Sequence, residues 1–438
     1  MAQDLKRKLV VEGLLKVENS GFSNLVFSAL VNESSLLPQE KAFVAKVFYG
    51  TIERKNTLNY ILKQFISKPL TKLDKEVLAI LQSGLYQILY MNSVPSFAAI
   101  NQAVSLCSVF KKTSAKGLVN AVLRKAADFD IKDAKFGSEL ERVCVTYSVS
   151  EKIASIVMKD YPQEYDEIFA SMFGSAVLNI NINTTKIPSM EFRKLLEESG
   201  IKYKNTAMEN CIEICSPGNI VKLPGFEDGY FFVQGITSRY AVSTAEIKKN
   251  DKVLDLCAAP GGKSFAAGIY LDNTGTIISC DPNPSRHVLI NDGAKRLGFE
   301  NIFTVENHGE IYRECLCGQD VVICDVPCSG IGIIPKKPDL RYKKMDELDQ
   351  LYKLQHDIFN TAAKYVKVGG RIVYSTCTIN KAENQQQIEK FLAENENYRL
   401  LPQNCPIEGA VNDNNMVTFL PSRGKCDGFF IAVLEKVW

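Results

Sequence analysis

Val253-Leu254-Asp255-Leu256-Cys257-Ala258-Ala259-Pro260-Gly261-Gly262-Lys263-Ser264 reads as the end of a strand, a turn of small residues and the start of a helix. Small residues let the backbone come close to a ligand, and a strand-to-helix turn is where parallel-sheet proteins bind one. Asp281 closes the next apolar stretch, about twenty residues past the glycines, where an acidic side chain can hold both hydroxyls of a ribose. Gly261-Gly262-Lys263-Ser264 falls short of a phosphate-binding loop. That loop requires a further glycine where this chain has Cys257. An adenosyl cofactor therefore suits the stretch better than a nucleoside triphosphate.

The same alternation extends outward. Short apolar stretches at 252–256, 275–280, 302–305, 321–324 and 370–374 are separated by helical patterns such as 286–297 and 348–366. Apolar strands alternating with helices predict a mostly parallel, doubly wound α/β sheet of the Rossmann-like kind over residues 236–438. Upstream, 139–235 mixes helical stretches with strand candidates at 177–183, 212–214 and 230–233, a small α+β module. Residues 1–138 read as all-helical. Leu58, Ile61, Leu62 and Phe65 fall at helical spacing, as do Val77, Ile80, Leu81, Leu85 and Ile88. Pro38, Pro69 and Pro95 stand between these segments.

Two cysteines differ from the rest by position. Cys328 lies in Asp325-Val326-Pro327-Cys328-Ser329 and Cys377 in Tyr374-Ser375-Thr376-Cys377-Thr378. Both follow expected strands of the sheet, at the carboxyl edge where ligands bind. A thiolate is a strong covalent nucleophile. Pyrimidine C5 is a poor one, but adding sulfur at C6 makes C5 enamine-like and able to take a methyl from a sulfonium. A carboxyl group such as Asp325, set against N3 and the exocyclic amine, stabilises that adduct. A second thiol has a role in release. The residues alone leave open which sulfur attacks. Cys315 and Cys317 lack the paired spacing of a metal site, so no metal is expected.

Bulk properties set the frame. The chain has 438 residues, 46% hydrophobic and 23% charged, with a net charge of +2. That length predicts two or three domains, and the composition a globular protein. There is no apolar run of membrane-spanning length and no signal-peptide pattern, and 13 cysteines without disulfide-framework spacing suit a reducing cytoplasm. Residues 1–130 carry 17 Lys and Arg against 10 Asp and Glu. A basic module of this kind serves as an electrostatic handle for a phosphate backbone, or as a solvated helix surface.

Asp255–Lys263, Asp325–Ser329 and Ser375–Thr378 together resemble the motifs of RNA cytosine-C5 methyltransferases of the Sun group. Phe48-Tyr49-Gly50, Gly84-Leu85-Tyr86-Gln87, Val94-Pro95-Ser96-Phe97-Ala98 and Val119-Asn120-Ala121-Val122-Leu123-Arg124 resemble the NusB-like helical domain fused to one branch of that family, and Cys426-Asp427-Gly428-Phe429-Phe430 matches its tail. The resemblance implies methylation of a cytosine in 16S ribosomal RNA by an S-adenosylmethionine-dependent enzyme; the default expectation is a cytoplasmic monomer with no membrane association. It implies Cys377 as nucleophile, Cys328 as the thiol that assists release and Asp325 as the group that contacts the cytosine. Cys257, Ala258, Ala259, Pro260, Gly261, Gly262, Lys263, Asp281 and Asp325 would line the cofactor. The family places an Asp after the third strand. Here the stretch is Val305-Glu306-Asn307, which leaves Glu306 or Asn307 as its substitute. Ser175-Ala176 stands where the family has Pro-Pro. Two other readings are a transfer-RNA cytosine methyltransferase and a non-catalytic RNA-binding assembly factor.

Overall fold

Apolar side chains recurring every three or four residues build a first, helical unit. The computed structural model describes residues 4–19, 22–32, 34–174, 177–215 and 218–438; Ser175 and Ala176 lie outside them. The unit contains α1 (Leu5–Glu18), α2 (Ser23–Asn32), α3 (Pro38–Glu53), α4 (Lys55–Phe65), α5 (Lys75–Tyr90), α6 (Ser96–Val109) and α7 (Lys116–Ala126). It continues through α8 (Glu139–Thr146), α9 (Glu151–Asp160) and α10 (Tyr165–Ser171). Leu58, Ile61 and Leu62 of α4 share a core with Val77, Ile80, Leu81 and Leu85 of α5. Ser138 and Ser150 cap α8 and α9 by accepting from the Glu141 and Ile153 amides, which satisfies otherwise unpaired helix-start donors.

This unit runs to Phe173 and takes in Ile334–Lys344, so its limits differ from the boundary read at residue 138. The reason is packing. The Thr57 hydroxyl donates to the Val145 carbonyl at 2.6 Å and Asn56 to that of Val149 at 2.8 Å, tying α4 to the α8–α9 region. The distant 334–344 stretch contributes Arg341, whose side chain is fully buried and donates to the carbonyls of Tyr147 (2.9 Å) and Met172.

The second unit comprises Gly174–Ile333 and Met345–Trp438. It opens with an antiparallel sheet ordered β2-β3-β1-β4, from β1 (Asn179–Ile182), β2 (Tyr203–Asn205), β3 (Cys211–Ile214) and β4 (Phe231–Val233). Helix α11 (Ser189–Glu198) packs Phe192 and Leu196 into one core with Ile180, Ile212 and Phe231. Phe231 is thus a core residue of this module.

After α12 (Ile236–Ser243) the chain alternates β5 (Lys252–Asp255), α13 (Gly262–Leu271), β6 (Thr276–Asp281), α14 (Pro284–Leu297) and β7 (Ile302–Glu306). Next come β8 (Gln319–Asp325), α15 (Leu348–Tyr365), β9 (Val366–Thr376) and α16 (Gln385–Glu394). The chain closes with β10 (Tyr398–Leu400), β11 (Ala410–Asp413), β12 (Met416–Phe419) and β13 (Phe429–Lys436). The sheet order is β11-β12-β13-β9-β8-β5-β6-β7, with β10 pairing β13. Strands β7-β6-β5-β8-β9 are parallel, and β10 to β13 add an antiparallel half.

Alternation along each strand sorts the two faces. Val253, Ile277, Ile323, Val373 and Val433 pack with Ala266 of α13 and Ile290 of α14. Their neighbours Leu254, Val322, Ile372 and Leu434 pack with Phe359 of α15 and Phe391 of α16. Helices cover both faces, so the sheet is doubly wound, and mixed rather than parallel throughout. Among the described residues no helix is long and apolar enough to cross a membrane.

Candidate active site

The strand order decides where a site can form. From β5 the chain moves through β6 and β7 on one side and then returns to build β8 and β9 on the other. This reversal between β5 and β8 is the crevice where open α/β sheets bind ligands. Register places Asp255 opposite Ser279 and Ile323, Asp281 opposite Glu306, and Asp325 opposite Ser375. All the expected site residues therefore lie at one edge of the sheet, the cofactor candidates over β5–β7 and the thiol motifs over β8–β9.

Cys328 and Cys377 meet there, their sulfurs 3.0 Å apart. The hydrogen bond to Cys377, together with burial, pushes the Cys328 thiol well above the ordinary thiol range. Cys328 thus keeps its proton at neutral pH, and either sulfur can be the donor in the contact between them. Cys257, Cys280 and Cys324 are pushed up by burial and stay neutral, inert thiols. The Cys377 carbonyl accepts from the Gly332 amide at 3.1 Å, and the Gly332 carbonyl accepts from Gly428 at 2.9 Å. A Cβ on Gly332 would stand 1.9 Å from the Gly428 carbonyl oxygen, so only glycine permits the approach that leads into β13.

Asp325 is fixed from two sides. Oδ2 pairs with Lys263 Nζ at 2.5 Å, and Oδ1 accepts from the Ser375 hydroxyl at 2.7 Å. Lys263 Nζ also stands 5.4 Å from the Phe429 ring centroid. The sequence places the lysine with the cofactor loop; the geometry also brings it to the Asp325 carboxylate. Charge-assisted bonds of this kind are short and directional, and they hold a carboxylate in one orientation.

The cofactor turn is shaped by Gly261, whose φ of 108° lies in the left-handed region that a side chain disfavours. Asp255 beneath it is buried, and its Oδ2 accepts from Ser264 Oγ at 2.7 Å. Burial raises its carboxyl to about 6. Among the described residues, its Oδ1 and the Oδ1 of buried Asn307 have no hydrogen-bond partner. Such atoms call for a ligand or solvent. Glu306 is exposed at the end of β7, so of the two expected substitutes Asn307 is the one turned inward. Asp281 holds Arg286 at 2.9 Å and accepts the Asn283 amide at 2.9 Å, while Arg286 also donates to the Ala259 carbonyl at 2.8 Å. An acid after β6, partnerless buried oxygens and a small-residue turn without a phosphate cradle fit an adenosyl group.

Three contributors escaped the sequence reading. Ser375 sits inside the quoted thiol motif, and its hydroxyl was overlooked. Gln355, whose Nε2 donates to the Pro327 carbonyl next to Cys328 at 2.8 Å, carries no motif. Glu383, which accepts the Ser329 amide at 2.7 Å, lies in the polar run Asn380-Lys381-Ala382-Glu383-Asn384 just after Cys377, and that run is the sole signal for it.

A doubly wound sheet with this edge defines a Rossmann-like methyltransferase domain, which follows a helical domain in chain order. A family model described as "16S rRNA methyltransferase RsmB/F" matches residues 242–435, and one described as "NusB family" matches residues 5–128. The "Probable ribosomal RNA small subunit methyltransferase B" of Bacillus subtilis is 30% identical, over 98% of each chain. The "Ribosomal RNA small subunit methyltransferase B" of Citrobacter koseri is 28% identical, over 91% of each. A solved chain named PH0851 superimposes with a TM-score of 0.83 at 24% identity, over 99% of this chain and 98% of that one. The chain belongs to the RsmB/F family of 16S rRNA methyltransferases.

Proposed function

We propose that this protein methylates C5 of a cytosine in 16S ribosomal RNA, with S-adenosylmethionine as donor and Cys377 as covalent nucleophile. The carrying observation is the 3.0 Å approach of Cys328 and Cys377 beside a carboxylate fixed by Lys263 and Ser375. The relatives' names, which specify the small ribosomal subunit, support the substrate class.

S-adenosylmethionine, when bound, supplies an electrophilic methyl group on a sulfonium. Cys257 through Lys263, Asp281, Asn307 and Glu306 would hold it. The chain's own groups do the rest. The Cys377 sulfur adds to C6 of the cytosine, and the ring electrons move toward C5. Asp325, oriented by Lys263 and Ser375, holds N3 and the exocyclic amine of the adduct. Once C5 carries the methyl group in place of the lost ring double bond, its proton leaves to a base, the C6–S bond breaks and the double bond re-forms. Cys328, a protonated thiol in contact with Cys377, can return a proton to the departing sulfur.

The helical unit, with its NusB-family match, is the part suited to grip RNA, and its lysines and arginines make salt-sensitive binding the expected behaviour. A target base inside a stem must leave its stack to reach the thiols. Such a reaction belongs to the cytoplasm, where the RNA is made and thiols stay reduced. Bisulfite sequencing of small-subunit RNA from cells with and without the gene is the test. One cytosine losing its methyl group in the deletion strain supports the reading; an unchanged 16S profile, or a loss confined to transfer RNA, rejects it.

A further inference from the structure

Between Cys377 and α16 lies the dipeptide Glu383-Asn384, both side chains fully buried. A buried carboxylate is costly, because several kcal/mol of hydration must be replaced (on the order of what a buried ion loses). Here three donors replace it. Glu383 Oε2 accepts the Ser329 amide at 2.7 Å and Gln355 Nε2 at 3.0 Å, and Oε1 accepts Asn380 Nδ2 at 2.9 Å. Gln355 also donates to the Pro327 carbonyl at 2.8 Å. The residues on either side of Cys328 are thereby gripped, one through its carbonyl and the other through its amide.

Asn384 does the same for the second thiol. Its Oδ1 accepts from the Thr376 hydroxyl at 2.6 Å and its Nδ2 donates to the Thr378 carbonyl at 3.0 Å. The two grips are joined by the hydroxyls of Ser329 and Thr378, 2.7 Å apart. A helix start needs a cap, not a network that reaches two other strand ends.

We propose that Glu383 and Asn384 are positioning residues that hold the two sulfurs in register, with Glu383 governing Cys328 and Asn384 governing Cys377. The inference rests on the two-thiol reading given above. The buried carboxylate next to Cys328 also opposes a second negative charge there, consistent with a Cys328 that keeps its proton. The other ionisable groups facing Cys328 are Cys377, Asp325 with its partner Lys263, and Tyr374.

The test is Glu383→Gln in the full chain, which keeps the shape and removes the charge and one acceptor. We expect kcat for RNA methylation to fall on the order of 10–100-fold, as for other small misplacements of a reacting group. KM for RNA and for S-adenosylmethionine should stay within about twofold. A denaturant-stable RNA–protein adduct should accumulate with both cysteines intact, because release is the step that needs Cys328 in place. A second readout needs no RNA: iodoacetamide labelling of each cysteine, followed by peptide mass spectrometry from pH 6 to 9. The rates at Cys328 and Cys377 should differ by roughly tenfold or more in the wild type and converge in the variant. A folded Glu383→Gln protein with wild-type kcat and wild-type labelling contrast overturns the assignment. Should that variant fail to fold by circular dichroism, Gln355→Met removes one donor and keeps the carboxylate. It should show the same changes at smaller size, and wild-type values in it overturn the assignment equally. A wild-type protein that makes no 5-methylcytosine defeats the functional reading, and the labelling contrast still decides the role of Glu383.

Discussion

The sulfurs of Cys328 and Cys377 touch at 3.0 Å although they end different motifs, the first after β8 and the second after β9. Because β8 and β9 pair in parallel with Asp325 opposite Ser375, each sulfur stands three or two residues past the same rung of the sheet. The two thiols are not equivalent, since the contact with Cys377 and burial hold the Cys328 thiol well above the ordinary thiol range. Replacing each thiol should therefore give different outcomes. Cys377→Ala should lower methyl transfer by more than about 10³-fold and yield no adduct. Cys328→Ala should leave a covalent RNA complex that survives denaturing electrophoresis. Adducts appearing with Cys377→Ala and not with Cys328→Ala would reverse the two roles.

The same proximity makes the pair sensitive to oxidation. Peroxide can take two electrons from the two thiols, giving a disulfide and water, once the sulfurs close to about 2 Å. Mild hydrogen peroxide should abolish activity, dithiothreitol should restore it, and a linked 328–377 peptide should appear in the mass spectrum. Irreversible loss without that peptide would mean that the sulfurs do not close on each other.

Much of this edge was legible in the sequence. The turn at Cys257–Lys263, the acids Asp281 and Asp325 and both thiols carry local signals, because strand-turn-helix punctuation and a chemically distinctive side chain coincide. Their convergence follows from strand alternation alone. The antiparallel strands β10 to β13 were not read, since they lack intervening helices and period-2 patterns in short apolar runs are ambiguous. The 334–344 segment gave no sign that it belongs with helices far upstream. Glu383 was invisible for a related reason. A buried carboxylate is recognised by its partners, and Ser329, Gln355 and Asn380 reach it from three separate stretches of chain.

Asp255 links the cofactor turn to pH. Burial lifts its carboxyl from 3.8 to about 6, with Ser264 and Lys263 opposing that rise. Between these values the folded chain binds more protons than the unfolded one, so the contribution of this residue to stability falls as pH rises through the window. Above it the full penalty, roughly 3 kcal/mol, is in force. Asp255→Asn does not titrate and keeps an acceptor for Ser264. Its thermal midpoint relative to the wild type should climb from pH 4 to pH 6 and then level off. A difference that stays flat across that range would mean the carboxyl is not perturbed.

Arg341 tests how the helical unit is completed. Its side chain is fully buried, and burial pushes its guanidinium down to about 10, so it remains charged at neutral pH. It stacks 4.3 Å from the Phe173 ring centroid and donates to the carbonyls of Tyr147 and Met172. Two effects oppose each other. Desolvating the cation is unfavourable, whereas each carbonyl left without a donor costs about 1–3 kcal/mol. Arg341→Ala also loses the stem packed on Phe173, for a total of about 3–5 kcal/mol. Arg341→Met keeps most of that packing and should lose less, about 1–3 kcal/mol. Urea unfolding should therefore rank the wild type above Met and Met above Ala. A Met variant as stable as the wild type would show that relief of the buried charge outweighs both carbonyl bonds, and that Arg341 is kept for something other than stability.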